Sequence, residues 1–219
     1  RRPGQAGTAV LLAERQTAGR GRLGRAWASP LGGQVCLSVR RGFEGGLARL
    51  GGLSLVAGVA VAEALRGLGF DAVGLKWPND LVADGRKLAG LLVEGGGEHA
   101  GPVHAVIGIG INVRLPEAAT AAIGQPWTDL SRLAGPVLPS RNAVAAAVLG
   151  ALLPALDAFD REGLAPFMPR YAALDVLQGR PVRVLAGREA IDGHAVGLAA
   201  DGGLRVRTAD GEERMFHAG

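Results

Sequence analysis

Cysteine is nearly missing from this sequence: Cys36 stands alone among 219 residues. No disulfide can form within the chain, and the usage fits a reducing, cytoplasmic setting. Lysine is almost as scarce. Of 24 basic residues only Lys76 and Lys87 are lysines, both inside "KWPNDLVADGRK". A codon bias toward arginine accounts for the general pattern; a lysine that persists against it is one whose compact charge a planar guanidinium cannot replace. The four histidines, His99, His104, His194 and His217, lack the spacing of a ligand set, so no metal is assigned to the protein. No uninterrupted apolar run reaches the roughly 18 residues of a bilayer span and no signal-peptide core opens the chain, which predicts no membrane partner. Acid is missing from one region above all. Between Arg1 and Phe43 only Glu14 is acidic, while Arg15, Arg20, Arg22, Arg25, Arg40 and Arg41 follow it. The net charge of +4 is mild, but this stretch carries a positive field that calls for something anionic.

What is present reads as one mixed α/β domain, residues 1–177, followed by a small all-β module, residues 178–219. With 48% apolar composition, the chain can bury one substantial core. "TAVLLAE" (8–14) and "QVCLSV" (34–39) have strand composition, and a Pro/Gly stretch precedes the second. The apolar repeat over 53–68 predicts a buried helix with Gly69 at its C-cap. Strands follow at 73–77, 87–94 and 103–113, with Asp84-Gly85 turning between the first two. Ser140 caps a long apolar helix over 141–159 that Pro154 is expected to kink or divide, and a shorter helix follows near 165–174. Past Gln178, four short strands separated by turns predict a barrel. The chain opens "RRPGQ" without methionine, from which an upstream segment is expected.

Three constellations carry chemistry. The first is "GRGRLGR" (19–25). Gly19-x-Gly21-x-x-Gly24 follows a strand as a dinucleotide fingerprint would, but its sequel "RAWASPLGG" cannot open a helix, so that reading fails; no HRD or DFG element supports a kinase. Such a loop is either a solvated basic segment, or one touching RNA, or a lid that orders over an anion relieving the repulsion among its arginines. The second is "KWPND" with "RKLAG", either a capped turn or a polar pair, Asn79 and Asp80, set beside a cation. Lys87 begins a strand whose opposite face, Leu88, Gly90 and Leu92, is small and apolar, so its ammonium is expected to project towards a pocket. The third is "VIGIGINV": with a period of two, Ile107, Ile109 and Ile111 face the core while Gly108, Gly110 and Asn112 share the other face. Two glycines on one face mean close packing or a ligand lying against bare backbone.

Together, "QTAGRGRLGRAW", "KWPNDL" with "RKLAGLLVE", and "GIGINV" resemble the biotin protein ligases in order and spacing from about residue 7 to the C-terminus. The resemblance implies a mixed-sheet α/β catalytic domain with a C-terminal SH3-like barrel. It implies ATP-dependent formation of biotinyl-5′-AMP, then transfer of biotin to a lysine of a biotin carboxyl carrier protein, with Mg2+ entering on ATP. By the family pattern, Gln16, Gly19, Arg20, Gly21, Arg22, Lys87, Gly90, Gly108 and Gly110 bind biotin. Arg22, Arg25, Lys87 and Asp80 carry the chemistry, and Trp27, Asn79 and Asn112 serve the adenylate, Trp27 by packing and Asn112 at the purine edge. The family also has a Ser/Thr-Asn element ahead of the first strand and a further strand after "FHAG"; neither lies in this sequence. The form implied is one without an N-terminal DNA-binding domain, so no DNA partner is expected, and a homodimer is left open. A lipoate or octanoyl transferase with Cys36 as nucleophile is one rival, although "QVCLSV" reads as core strand. An RNA-binding module, marked by salt-dependent RNA binding without ATP–pyrophosphate exchange, is the other.

Overall fold

The computed structural model describes residues 7–97, 102–121, 123–187 and 189–217; His99 and the two chain ends lie outside them. Among the described residues, ten strands occur in two sheets. The first holds β1 (Ala9–Ala13), β2 (Gln34–Phe43), β3 (Val73–Lys76), β4 (Asp80–Ala83), β5 (Arg86–Gly97) and β6 (Val103–Asn112), in the order β1-β2-β6-β5-β4-β3. The second holds β7 (Pro181–Ala186), β8 (Glu189–Leu198), β9 (Leu204–Arg207) and β10 (Glu213–Phe216), in the order β10-β9-β8-β7. Neighbouring named strands pair antiparallel. Among the described residues, parallel pairing enters as the isolated bridges Leu75–Asp175 and Lys87–Trp127.

The period of two over β6 divides the sheet. Ile107, Ile109 and Ile111 are buried with Val35, Leu37 and Val39 of β2 and Ala89 and Leu91 of β5. Their face is covered by α1 (Leu53–Gly67), which is buried nearly all round because α4 (Arg141–Glu162) packs over it. Burying such aliphatic side chains contributes about 1.5–3 kcal/mol each before entropy is counted. Gly69, at φ +93°, follows the end of α1. Short helices α2 (Glu117–Thr120), α3 (Leu130–Leu133) and α5 (Met168–Ala172) complete the set. Ser140 Oγ accepts from Ala143 N at 3.1 Å, capping α4. Pro154 does not divide that helix: it lies on the exposed side, where water can reach the Gly150 carbonyl it leaves unbonded.

One further result differs from the sequence reading. The turn at Asp84-Gly85 joins β4 to β5, not β3 to β5, because "DLVA" is itself a strand. The C-terminal strands form a four-stranded antiparallel sheet. That sheet is anchored to the first unit where Trp77 Nε1 donates to the Gly202 carbonyl at 3.0 Å; within the first unit, Leu75 exchanges hydrogen bonds with Leu174 and Val176, covering the β3 edge.

Candidate active site

The opposite face of the first sheet is the floor of a cleft of about 990 Å3. Cross-strand register sets that floor: Cys36 on β2, Gly110 on β6 and Gly90 on β5 stand side by side, as do Ser38, Gly108 and Leu92. The residues that the family pattern assigns to the site line this one cleft, from Gln16, Gly19, Arg20, Gly21, Arg22, Arg25 and Trp27, through Asn79, Asp80, Lys87 and Gly90, to Gly108, Gly110 and Asn112.

The arginine loop closes on itself. Trp27 N donates to Gly19 O at 2.9 Å and Gly21 N to Arg25 O at 2.7 Å, with a 3-10 turn over Arg22–Gly24. A Cβ on Gly19 would lie 2.8 Å from the Trp27 carbonyl, so the closure needs glycine there. The tip is strained: Leu23 holds φ +57° and is 78% exposed. This fold directs Arg22 inward, where its Nη1 lies 3.5 Å from Asn79 Oδ1. Burial lowers the Arg22 pKa; Asp80 opposes that shift and Arg25 adds to it. The guanidinium stays charged while shedding part of its hydration, which strengthens any contact it makes with an anion. Arg20 reaches Glu94 at 3.4 Å.

Lys87 arrives by a local irregularity. Strict alternation sets Lys87 opposite Gly90 and Leu92, but the register slips between Leu81, paired with Ala89, and Val82, paired with Lys87. The bulge rotates Lys87 onto the face of Gly90, whose added Cβ would lie 3.5 Å from Lys87 Nζ. Lys87 Nζ then stands 2.7 Å from Asp80 Oδ1 and 5.6 Å from the centre of the Trp27 ring. Asn79 is fixed by donation from Nδ2 to Leu91 O at 2.6 Å.

Trp27, Asn112 and Cys36 are placed by the packing of the sheet. The Trp27 indole lies on the glycine floor, so that a Cβ on Gly110 would fall 2.6 Å from its Cζ2 and one on Gly90 3.1 Å from its Cζ3. Only over Gly108 is the added atom free of close contact. Asn112 is 4% exposed and its amide is used inside the protein: Oδ1 accepts from Gln34 Nε2 at 2.8 Å and Nδ2 donates to Thr128 O at 3.0 Å. Gln34 Oε1 in turn accepts from Trp27 Nε1 at 3.3 Å, so Asn112 braces the indole through Gln34. Cys36 is buried on the cleft side of the sheet rather than in the helix-packed core, with Ser29 Oγ at 3.4 Å.

Trp127 is a site residue the sequence reading missed. Lys87 N donates to Pro126 O at 3.0 Å and Thr128 N to Lys87 O at 2.9 Å, which ties this loop to the bulge. Trp127 lines the cleft with Arg132 at 4.1 Å from its ring centre. Its one local signal is an aromatic residue in the Gly/Pro stretch "GQPW" of a chain with three tryptophans. Val182 and Arg183 of β7 also face the cleft. Among the described residues no group of three or more His, Cys, Asp or Glu side chains is placed to hold a metal ion.

Comparison with known proteins agrees with this geometry. Residues 3–112 match the biotin/lipoate A/B protein ligase family and residues 178–219 the biotin protein ligase C terminal domain. The bifunctional ligase/repressor BirA of Escherichia coli is 44% identical over 195 residues, covering 89% of this chain. The chain spans 60% of the length of that relative. The biotin--[acetyl-CoA-carboxylase] ligase of Paracoccus denitrificans is 33% identical, with 96% of this chain and 89% of that protein covered. Among solved structures, the biotin protein ligase of Aquifex aeolicus in complex with biotin and ATP superposes with a TM-score of 0.79 at 32% identity, covering 96% of this chain and 86% of that one. With its glycine floor, arginine loop and both family domains in register, the chain belongs to the biotin/lipoate A/B protein ligase family.

Proposed function

We propose that this protein joins biotin to ATP, forming biotinyl-5′-AMP and pyrophosphate, and then transfers biotin to a lysine of a biotin carboxyl carrier protein. The observation that carries this reading is the convergence of Arg22, Arg25 and Lys87, from two separated segments, on one cleft floored by Gly90, Gly108 and Gly110. Activation brings a carboxylate oxygen against the α-phosphorus of a polyanion. Two like charges at 4 Å cost about 4 kcal/mol at an effective dielectric of 20, and fixed cations offset that cost. The new bond joins the carboxylate oxygen to phosphorus as pyrophosphate leaves. In transfer, the carrier's amine attacks the acyl carbon, AMP departs and the amine loses its proton.

Lys87 and Arg22 hold the carboxylate and α-phosphate, Arg25 adds charge at the loop base, and Asp80 orients Lys87 and then the incoming amine. Gln16, Gly19, Arg20 and Gly21 contribute the loop side of the biotin site. Asn79 fixes the turn that presents Asp80, and Trp27 with Trp127 supplies apolar walls for the adenylate. A division into a catalytic unit, 1–177, and a C-terminal unit, 178–219, agrees with where the second family match begins. Mg2+ enters on the triphosphate, as is usual for nucleotide substrates. A cytoplasmic setting fits the lone thiol.

Exchange of labelled pyrophosphate into ATP tests this reading. Exchange that depends on biotin upholds it, whereas absence of exchange together with salt-dependent RNA binding replaces it with the RNA-binding alternative. One variant examines the lid. Arg22→Gly removes one charge-assisted contact with the adenylate and is expected to raise release of the intermediate about 10- to 100-fold. Stopped-flow dilution of preformed adenylate measures this, and an unchanged off-rate removes Arg22 from the role.

A further inference from the structure

Behind the catalytic turn lies a second, much smaller cavity of about 10 Å3, the space of one water molecule. Leu75, Pro78 and Leu91 line it together with the polar residues Ser54 of α1, Asn79, Asp80 and Tyr171 of α5. Asp80 also lines the large cleft, so this residue borders both spaces. Tyr171, the one tyrosine of the chain, is 3% exposed and its hydroxyl has no hydrogen-bond partner among the described residues. The same is true of Asp80 Oδ1, because Lys87 Nζ, though 2.7 Å away, does not approach it along a hydrogen-bond direction. Tyr171 Oη, buried without a partner, would cost about 1–3 kcal/mol if left so, while Asp80 Oδ1 has the ion contact with Lys87 but no aligned donor. Most such groups in folded proteins are satisfied by protein or by ordered water.

We propose that a single structural water in this cavity accepts from the Tyr171 hydroxyl and donates to Asp80 Oδ1, making Tyr171 a positioning residue for the Asp80–Lys87 pair. The water's second hydrogen is directed at Ser54 Oγ, whose own hydrogen goes to Pro78 O at 3.3 Å. All donors are then used, and the water has three partners, the usual number for a buried one. Burial, with the nearby Asp175 carboxylate, pushes the Tyr171 phenol up; it remains a donor throughout the physiological range. The effect is to fix the rotation of the Asp80 carboxylate, and with it the ammonium 2.7 Å away. This role rests on the ligase reading of the cleft, but the water itself does not.

A crystal structure of the wild-type protein at a resolution that shows ordered water is expected to place a water about 3 Å from both Tyr171 Oη and Asp80 Oδ1. A dry cavity, or a protein partner for Tyr171 Oη, overturns the proposal whether or not the protein has ligase activity. Tyr171→Phe keeps the ring and removes only the hydroxyl. Its turnover in pyrophosphate exchange is expected to fall about threefold to tenfold, with unchanged KM for biotin and ATP and an unchanged fraction of chains forming adenylate. A merely structural role would instead reduce that fraction; equal turnover, or a loss confined to KM, defeats the positioning role. Should Tyr171→Phe not fold, Ser54→Ala removes the third polar wall and carries the same kinetic expectation. A wild-type protein that contains the water yet shows no biotin-dependent exchange refutes the ligase reading, and with it the catalytic consequence alone.

Discussion

Lys87→Ala is expected to lower biotin-dependent pyrophosphate exchange about 10³-fold while the protein stays folded. The ammonium is the cation nearest the glycine floor: it sits above Gly90, beside the Trp27 ring and 2.7 Å from Asp80 Oδ1. Removing it takes away a charge fixed where negative charge builds up, and the loss is greater in a cleft than in water. It also leaves the Asp80 carboxylate facing an anionic substrate. The backbone has little reason to move, since the bonds to Pro126 O and from Thr128 N hold residue 87 through main-chain atoms. Lys87→Arg is expected to rescue little, because a planar guanidinium cannot fit between Asp80 and the indole as a point charge does. Initial-rate exchange, with thermal melting as the check on folding, decides this. Exchange within tenfold of wild type removes Lys87 from the reaction.

The sequence reading sent the Lys87 ammonium towards a pocket but set it across the strand from Gly90, and the reason the two share a face is physical. Side-chain alternation is legible where pairing is regular, as it is along β6, where the isoleucines and glycines separate onto opposite faces. A bulge depends on the partner strand, and β4 was hidden because four residues opening on aspartate look like the tail of a turn. Trp127 was hidden for a related reason. Its position is fixed by a bridge to Lys87, forty residues away in the chain, and nothing local in "GQPWTDL" specifies that pairing. Asn112 was visible as a polar residue on the glycine face. Its commitment to Gln34 and Thr128 was not, since hydrogen-bond partners are a property of the packed sheet. Pro154 marked a break only because the sequence does not say which side of α4 meets water.

Gly110→Ala is expected to weaken biotin binding about 10- to 100-fold through Trp27. The added methyl would lie 2.6 Å from Cζ2, 2.7 Å from Cε2 and 2.9 Å from Nε1 of the indole, distances at which one partner must give way. The β6 backbone cannot retreat, because Ile109 and Ile111 on either side are packed in the core and paired with both neighbouring strands. The indole is therefore the part that moves, breaking its bond to Gln34 and rising into the cleft where biotin is proposed to lie. Gly108→Ala separates this route from simple blockage. Its new methyl meets nothing closer than the Leu92 carbonyl at 3.5 Å, so Trp27 keeps its place and any lost affinity comes from the methyl itself. Calorimetry gives the two affinities and tryptophan emission follows the indole. A shifted emission with normal affinity in Gly110→Ala would mean that biotin does not use the space above the indole. Normal affinity in Gly108→Ala as well would move the biotin site off this strand.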